Sequence, residues 1–286
     1  MNKSIGILYL CTGSYKLFWE DFYNSFEDKF LPNTEKIYYV YCDNFDNTFD
    51  KYKNNIRVNF ISINAMPWPL ITLLRFNYFL MQEEKLKKHD YLMFSNANIF
   101  CNQQVTEEEF LPRIDRGEKI SFVQHPGYYK KKAFFNYQFE RSRKSTAYIP
   151  YSCRSPYVIG AMFAGETNAF LHMSHVLKNC IETDLKNNII ARWHDESQMN
   201  RYIVGKNDYR LLNPGFCYPV GFDLPVENKI MGVSKQAKFD VNAFKGTTES
   251  LTGFVPFIKK VFRKIKSNGF IWYLRDCILA KRIKPL

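Results

Sequence analysis

The chain has 286 residues, enough for one large hydrophobic core or two modest ones, and its seven cysteines show no CxxC or metal-like Cys/His spacing. An odd, scattered set of cysteines argues against a disulfide framework and for a reduced, intracellular chain. Its formal charge of +12 points to an anionic partner, yet nine basic side chains and a single acid, Asp276, fall between Leu251 and Leu286, so the body before them is only mildly basic.

The first apolar run, Ile5–Cys11, is too short for a signal peptide and reads as a buried strand ended by Thr12-Gly13. A helix is predicted over Phe18–Phe30, then strands over Lys36–Cys42 and Ile56–Ile61. Leu70–Leu86 places apolar residues at 70, 73, 74, 76 and 78 through 80, which predicts one substantially buried helix. Strands follow at Tyr91–Phe94, Ile120–Gln124 and Val158–Phe163, and a helix at Asn168–Asn179. This alternation predicts an α/β domain over residues 1–245 with a mixed, mostly parallel sheet. Ligand sites in such sheets gather past the carboxyl ends of strands, here the loops after Cys11 and Phe94. No run reaches the roughly 20 apolar residues of a membrane-spanning helix.

Residues 246–286 differ in character. Phe254, Phe257, Ile258, Val261, Phe262 and Ile265 form a continuous helical stripe, with Lys259, Lys260, Arg263, Lys264 and Lys266 on other faces. After Ser267-Asn268-Gly269 a second amphipathic segment runs over Phe270–Ala280. Such a basic, aromatic tail is expected to meet an anionic membrane surface through residues 251–286; the alternative is that the stripe packs on the domain.

Three constellations could carry chemistry. Asn96-Ala97-Asn98 follows a strand where many nucleotide-sugar transferases hold a divalent ion with Asp-x-Asp. Neutral amides ligate hard cations weakly but can hydrogen-bond sugar or phosphate. By itself the tripeptide reads as a surface turn. Trp193-His194-Asp195-Glu196-Ser197 packs an indole, an imidazole and two carboxylates into five residues, suited to stabilising an oxocarbenium-like centre or to nucleophilic attack. A helix start with surface acids is the competing explanation. His125-Pro126-Gly127, taken alone, is a turn.

In this order and spacing the segments YLCTGSY, KIYYVYCDN, WPLITLLRF, FSNAN, HPGYY, FERS with TAYIP, YVIGAMFAG, WHDES and LNPGFCYP resemble glycosyltransferase family 6. That family includes the histo-blood-group A and B transferases and α-1,3-galactosyltransferase. The resemblance implies a glycosyltransferase A-type fold and a retaining hexosyltransferase. Such an enzyme moves Gal or GalNAc from a UDP-sugar substrate to the 3-hydroxyl of a β-galactoside, with or without a fucose, in α linkage. Animal members carry Asp-x-Asp; bacterial members with Asn-x-Asn are regarded as metal-independent, so no metal ligand and no cofactor is expected. Carried over residue by residue, Glu196 is catalytic, as nucleophile or as stabiliser of a front-face transition state, and also meets the acceptor. Arg75, His194 and Asp195 fall on the donor sugar, and Asn96 and Asn98 form the donor tripeptide. Tyr15 with the backbone of Cys11 and Thr12 matches the uridine edge, and Lys235 the cover over the diphosphate. His125 and Trp193 match acceptor contacts. Gln138 stands where the blood-group enzymes have an acceptor-contacting Thr. Ile159-Gly160-Ala161 matches the tripeptide that separates galactose from N-acetylgalactosamine users, and bulky Ile159 with the Ala161 methyl favours UDP-galactose. A cytoplasmic location is expected, peripheral on the inner face of the membrane if the tail docks there. The alternatives are a nucleic-acid-binding protein, which the confined charge disfavours, and an inactive sugar-binding relative, which the intact WHDES and HPGYY disfavour.

Overall fold

The computed structural model describes residues 3–239 together with Trp272, Asp276, Pro285 and Leu286. The remainder of the predicted amphipathic tail therefore lies outside the described residues. Among the described residues there are ten strands: β1 Ser4–Leu10, β2 Glu35–Cys42, β3 Val58–Ser62, β4 Tyr91–Asn96, β5 Ile99–Cys101, β6 Ile120–Gln124, β7 Val158–Glu166, β8 Tyr209–Leu212, β9 Tyr218–Pro219 and β10 Ile230–Gly232. Seven form the central sheet in the order β3-β2-β1-β4-β7-β6-β8, and β5, β10 and β9 a smaller one. β1, β2, β3 and β4 pair in parallel, whereas β7 runs antiparallel between β4 and β6.

The parallel half is covered on both faces, which is why its strands read as near-continuous apolar runs. Alternate residues of β1 feed different cores: Ile7 and Tyr9 meet Trp19, Phe22 and Phe26 on one side, and Leu8 meets Phe79 and Phe94 on the other. The first side is supplied by α1 (Trp19–Lys29). The second is supplied by the short helices α2 (Leu70–Leu73), α3 (Arg75–Leu80) and α4 (Glu83–Leu86). After α5 (Glu107–Phe110), the long α6 (Thr167–Lys186) packs on α3, and α7 (His194–Tyr202) follows it.

The single helix predicted over Leu70–Leu86 is thus corrected to three. The first break, at Leu74, has a local cause: Arg75 Nε donates to the Thr72 carbonyl (3.2 Å) and the Thr72 hydroxyl donates to the Pro69 carbonyl (2.8 Å). Side chains take carbonyls that a regular ladder would use. The break turns the Arg75 guanidinium inward, onto the face of Phe94 at 4.3 Å from the ring centroid.

Candidate active site

Two neighbouring cavities open at the carboxyl ends of β1 and β4, as the doubly wound pattern predicts. One, of about 170 Å³, is lined by Thr12, Tyr15, Met66, Trp68, Asn96, Asn98 and Lys235 among others. The second, of about 250 Å³, is lined by Ile159, Gly160, Ala161, Trp193, His194, Asp195 and Glu196. Trp68, Thr72, Arg75 and Asn96 line both, so the two form one continuous cleft.

At the junction lies a buried charge cluster. Arg75, 4% exposed, donates through Nη1 to the Gly160 carbonyl (2.8 Å) and stands 3.2 Å from Asp195 Oδ2. That Asp195 oxygen is buried and takes no aligned hydrogen bond among the described residues, so the Arg75 charge is what compensates it, while the residue itself lines the second cavity. Gly160 N–H donates to Glu196 Oε2 (2.8 Å), and the Tyr157 hydroxyl also bonds the Glu196 carboxylate. Burial raises the Glu196 pKa from 4.5 to about 7, opposed by the Gly160 N–H, reinforced by Asp195 and opposed again by Tyr157 and Arg75. Burial likewise raises Asp195, against the pull of Arg75. A Cβ on Gly160 would stand 3.2 Å from Glu196 Cβ and 3.3 Å from Asp195 Oδ2, so the strand approaches the helix this closely because the residue is glycine.

The geometry of α7 is imposed by the motifs around it. Asn200 clamps β7 to α7: its Oδ1 accepts from Val158 N–H (2.9 Å), and its Nδ2 donates to the carbonyls of Val158 (2.9 Å) and Glu196 (2.8 Å). Trp193 N–H donates to the Ser197 hydroxyl (3.0 Å), fixing the first turn. His194, at φ +54°, holds a left-handed backbone that costs about 1 kcal/mol or more, and its ring sits edge-on to Trp68 at 4.7 Å. The FERS and TAYIP segments prove to be scaffold. Glu140 accepts from Ser142 N–H (2.6 Å) and Arg192 N–H (2.7 Å), and Asp184 accepts from Ser145 Oγ (2.6 Å), Thr146 N–H (2.8 Å) and Gln198 Nε2 (3.0 Å).

Beside Tyr15, Cys11 is fully buried and lines neither cavity: its N–H donates to the Tyr41 carbonyl (3.0 Å) and its carbonyl accepts from the Cys42 thiol (3.1 Å), which corrects the expected donor contact, while Thr12 and Tyr15 reach the cleft. The C-terminal segment is latched across this side at three points. Asn98 Nδ2 donates to the Val233 carbonyl and Val233 N–H to the Asn98 carbonyl, both at 2.7 Å. Lys238 pairs with Asp21 (2.8 Å), and Phe239 meets Tyr15 edge-on at 5.2 Å. Between these latches the Lys235 ammonium lies 5.2 Å from the Tyr15 ring centroid. Asn98 is thus a structural latch through its amide nitrogen, whereas Asn96 lines both cavities.

His125 and Gln138 line neither cavity. They belong to an aromatic group behind Glu196, where His125 packs on Tyr128 (5.1 Å) and Tyr157 (5.5 Å), and Gln138 N–H donates to the Tyr128 hydroxyl (3.2 Å). His125 Nδ1 accepts from Gly127 N–H (3.0 Å), the tautomer with its proton on Nε2, and burial with Lys131 nearby pushes its pKa down to about 4. A neutral His125 offers an acceptor hydroxyl one donor. Trp193, 46% exposed, and Trp68, 58% exposed, present indole faces at the mouth of the cleft. No sequence pattern singles out Tyr157, Asn200 or Trp68 as site residues; the first two act through contacts across the fold.

A cleft at the carboxyl ends of a parallel half-sheet, with Lys235 and two amides at one end, a buried acid pair at the other and Arg75 between them, is the arrangement of a glycosyltransferase A-type fold. The sequence profile of glycosyltransferase family 6 matches residues 1–244, and the chain belongs to that family. It is 36% identical over 232 residues to the O-antigen biosynthesis glycosyltransferase WbnI of Escherichia coli, covering 81% of this chain and 95% of that protein. It is 25% identical over 221 residues to the histo-blood group ABO system transferase 2 of Rattus norvegicus, covering 76% of this chain and 64% of the relative. A third relative, globoside alpha-1,3-N-acetylgalactosaminyltransferase 1 of Gallus gallus, is 25% identical over 222 residues, covering 76% of this chain and 62% of its own length. Among the described residues no helix is long and apolar enough to cross a membrane.

Proposed function

We propose that the chain transfers galactose, or N-acetylgalactosamine, from its UDP derivative to the 3-hydroxyl of a terminal β-galactoside, with retention and without a metal ion. The observation that carries this reading is the position of Glu196. Its carboxylate lines the second cavity, held by Gly160 N–H and favoured in its ionised form by Tyr157, with Asp195 beside it and Arg75, which lines both cavities, close by.

Arg75 and Asp195 would fix the donor hydroxyls, and Glu196, when ionised, would attack or stabilise the anomeric carbon from the face opposite to or beside the leaving group. The Tyr157 hydroxyl and Gly160 N–H orient that carboxylate. His125 and Trp193 would seat the acceptor sugar. Support for metal independence comes from the donor set: among the described residues lining the first cavity the polar groups include the amides Asn96 and Asn98, the hydroxyls of Thr12, Tyr15 and Thr72 and the cations Arg75 and Lys235, with no carboxylate. Lys235 would offset the charge of the departing UDP. Ile159 and Ala161 line the sugar cavity, and the Ala161 methyl favours galactose, although one methyl discriminates by only about 1–3 kcal/mol.

The deciding experiment offers UDP-galactose and UDP-N-acetylgalactosamine with lactose and 2′-fucosyllactose in excess EDTA. Turnover to an α-1,3 product is expected; turnover lost on chelation and restored by manganese refutes the metal-free mechanism. For the basic tail we propose contact with anionic headgroups at the inner face of the cytoplasmic membrane. Lys259→Glu, Lys260→Glu and Lys264→Glu together should weaken binding to phosphatidylglycerol vesicles, and unchanged binding refutes the contact.

A further inference from the structure

Beyond residue 244, where the family match ends, the chain touches the domain at points that converge on the acceptor half of the site. Asp276 is fully buried and accepts a hydrogen bond from Tyr151 N–H at 2.8 Å. The Trp272 ring stacks over Tyr151, 6.4 Å between centroids and 25° between planes. At the chain terminus, Lys206 Nζ donates to the Leu286 carbonyl (3.1 Å), and the Pro285 ring packs where a Cβ on Gly205 would be, 3.0 Å away. Gly205 and Lys206 lie just past α7, the helix that carries Glu196.

Asp276 is the one acid among the ten charged residues between Leu251 and Leu286. A buried carboxylate without a hydrogen-bonding partner is costly, so its burial against a specific backbone N–H gives it a defined place on the loop. The opposite side of Tyr151 is held by Arg141, whose guanidinium lies 4.1 Å from the ring centroid. Arg141 in turn donates to the carbonyls of Ile149 (2.7 Å) and Tyr137 (3.4 Å) and lies 5.2 Å from the Phe139 ring centroid. Phe139 stacks on Tyr157 at 5.1 Å, and Tyr137 on Tyr128 at 4.6 Å. Tyr157 bonds Glu196, and Tyr128 packs on His125. Between Tyr137 and Tyr157 the described chain has no strand and no α-helix, so its shape depends on such side-chain ties.

We propose that Asp276 is a positioning residue for the acceptor: it fixes the 137–157 loop through Tyr151 and Arg141, and so sets Gln138 and the His125 group toward the acceptor sugar. The proposal rests on the transferase reading above. It makes the end of the tail part of the acceptor site instead of a detachable anchor.

The test uses the full chain with UDP-galactose as donor and lactose as acceptor. Asp276→Ala should raise KM for lactose about tenfold, the scale of one hydrogen bond to a charged group. It should leave KM for UDP-galactose unchanged and should lower acceptor-free hydrolysis of UDP-galactose far less than it raises KM for lactose. Asp276→Asn, which keeps a carbonyl oxygen for Tyr151 N–H, should restore most of the acceptor affinity. Independently of any substrate, trypsin should cut the exposed Arg143 and Lys144 sites faster in Asp276→Ala. An unchanged KM for lactose overturns the acceptor role, and an equal loss in acceptor-free hydrolysis does the same by showing a general defect. If the wild-type chain turns over no lactose while trypsin cleavage still accelerates, the loop anchoring stands and the transferase reading fails.

Discussion

Replacing Glu196 by Gln should remove most turnover and at the same time stabilise the fold, increasingly so as pH rises. The carboxyl titrates near 4.5 in an unfolded chain and at about 7 in the native cleft, chiefly because it is buried. A folded-state pKa above the unfolded one means that the fold prefers the protonated acid. No penalty exists below about 4.5; it grows as pH rises toward 7 and is complete above that. Its full size is at most about 3 kcal/mol, from roughly 1.4 kcal/mol for each pH unit of displacement. Asp195 is displaced in the same direction and for the same cause, so relieving its neighbour adds to the effect. Gln is uncharged at every pH and still offers a carbonyl oxygen to Gly160 N–H. Thermal melts of both proteins at pH 5 and pH 8.5 should therefore show a Tm advantage for Glu196→Gln that widens by about 5–10 °C at the higher pH. Turnover should fall at least about a hundredfold. A Tm difference that is the same at both pH values would refute the reasoning, because it would mean that the native cleft does not disfavour the ionised acid.

Three further substitutions probe the supports of that acid. Tyr157→Phe removes a hydroxyl that favours the Glu196 carboxylate, so the acid limb of kcat/KM should move to higher pH; an unmoved limb contradicts the contact. Lys235→Ala should lower kcat about 10²–10³-fold with a smaller change in donor KM, as read by UDP release, and Lys235→Arg should retain part of the rate. Asn200→Ala strands the Val158 N–H and two carbonyl partners, and should cost about 3 kcal/mol in urea unfolding; a loss under 1 kcal/mol would discount the clamp.

The strands that position the site were legible because the parallel half of the sheet is buried on both faces, so Ile5–Cys11 and Lys36–Cys42 stand out as apolar runs. The edge strand β8, YRLL, which pairs in parallel with β6, buries only Leu212 and carries no comparable signal. The Leu70–Leu86 pattern records burial correctly but hides the break at Leu74, because that break depends on where the Arg75 side chain goes. The acid pair was legible from WHDES, whose composition is unusual for either a core or a solvated face. FERS and TAYIP were conspicuous for another reason: Glu140 and Asp184 are buried hydrogen-bond hubs that hold Arg192 and Gln198, at the approach to α7 and within it. Asp276 carries no local pattern at all. Its meaning depends on a contact 125 residues away in the chain.

The tripeptide at Asn96-Ala97-Asn98 invites one more substitution, and the structure specifies its outcome. If Asn98 were only a carboxylate changed to an amide, Asn98→Asp would move the chain toward a manganese-dependent enzyme. The Asn98 amide nitrogen, however, donates to the Val233 carbonyl, and that bond is one of three latches that hold the Lys235 segment over the cleft. Aspartate has no N–H to donate, and would set a carboxylate oxygen 2.7 Å from a carbonyl oxygen that repels it. The backbone pair from Val233 N–H to the Asn98 carbonyl and the β5–β10 ladder before it would persist, so the loss falls on the turn from Val233 to Lys235. Losing the bond and burying the repulsion should cost about 2 kcal/mol or more, enough to displace Lys235 in most molecules. Asn98→Asp is therefore expected to lose turnover to nearly the extent of Lys235→Ala, and manganese should not restore it. The double variant with Lys235→Ala should fall little further than either single change, since both remove the same cation from the leaving diphosphate. Independent, multiplicative losses in the double variant, or rescue of Asn98→Asp by manganese, would show instead that the amide serves the donor directly and that the latch is incidental.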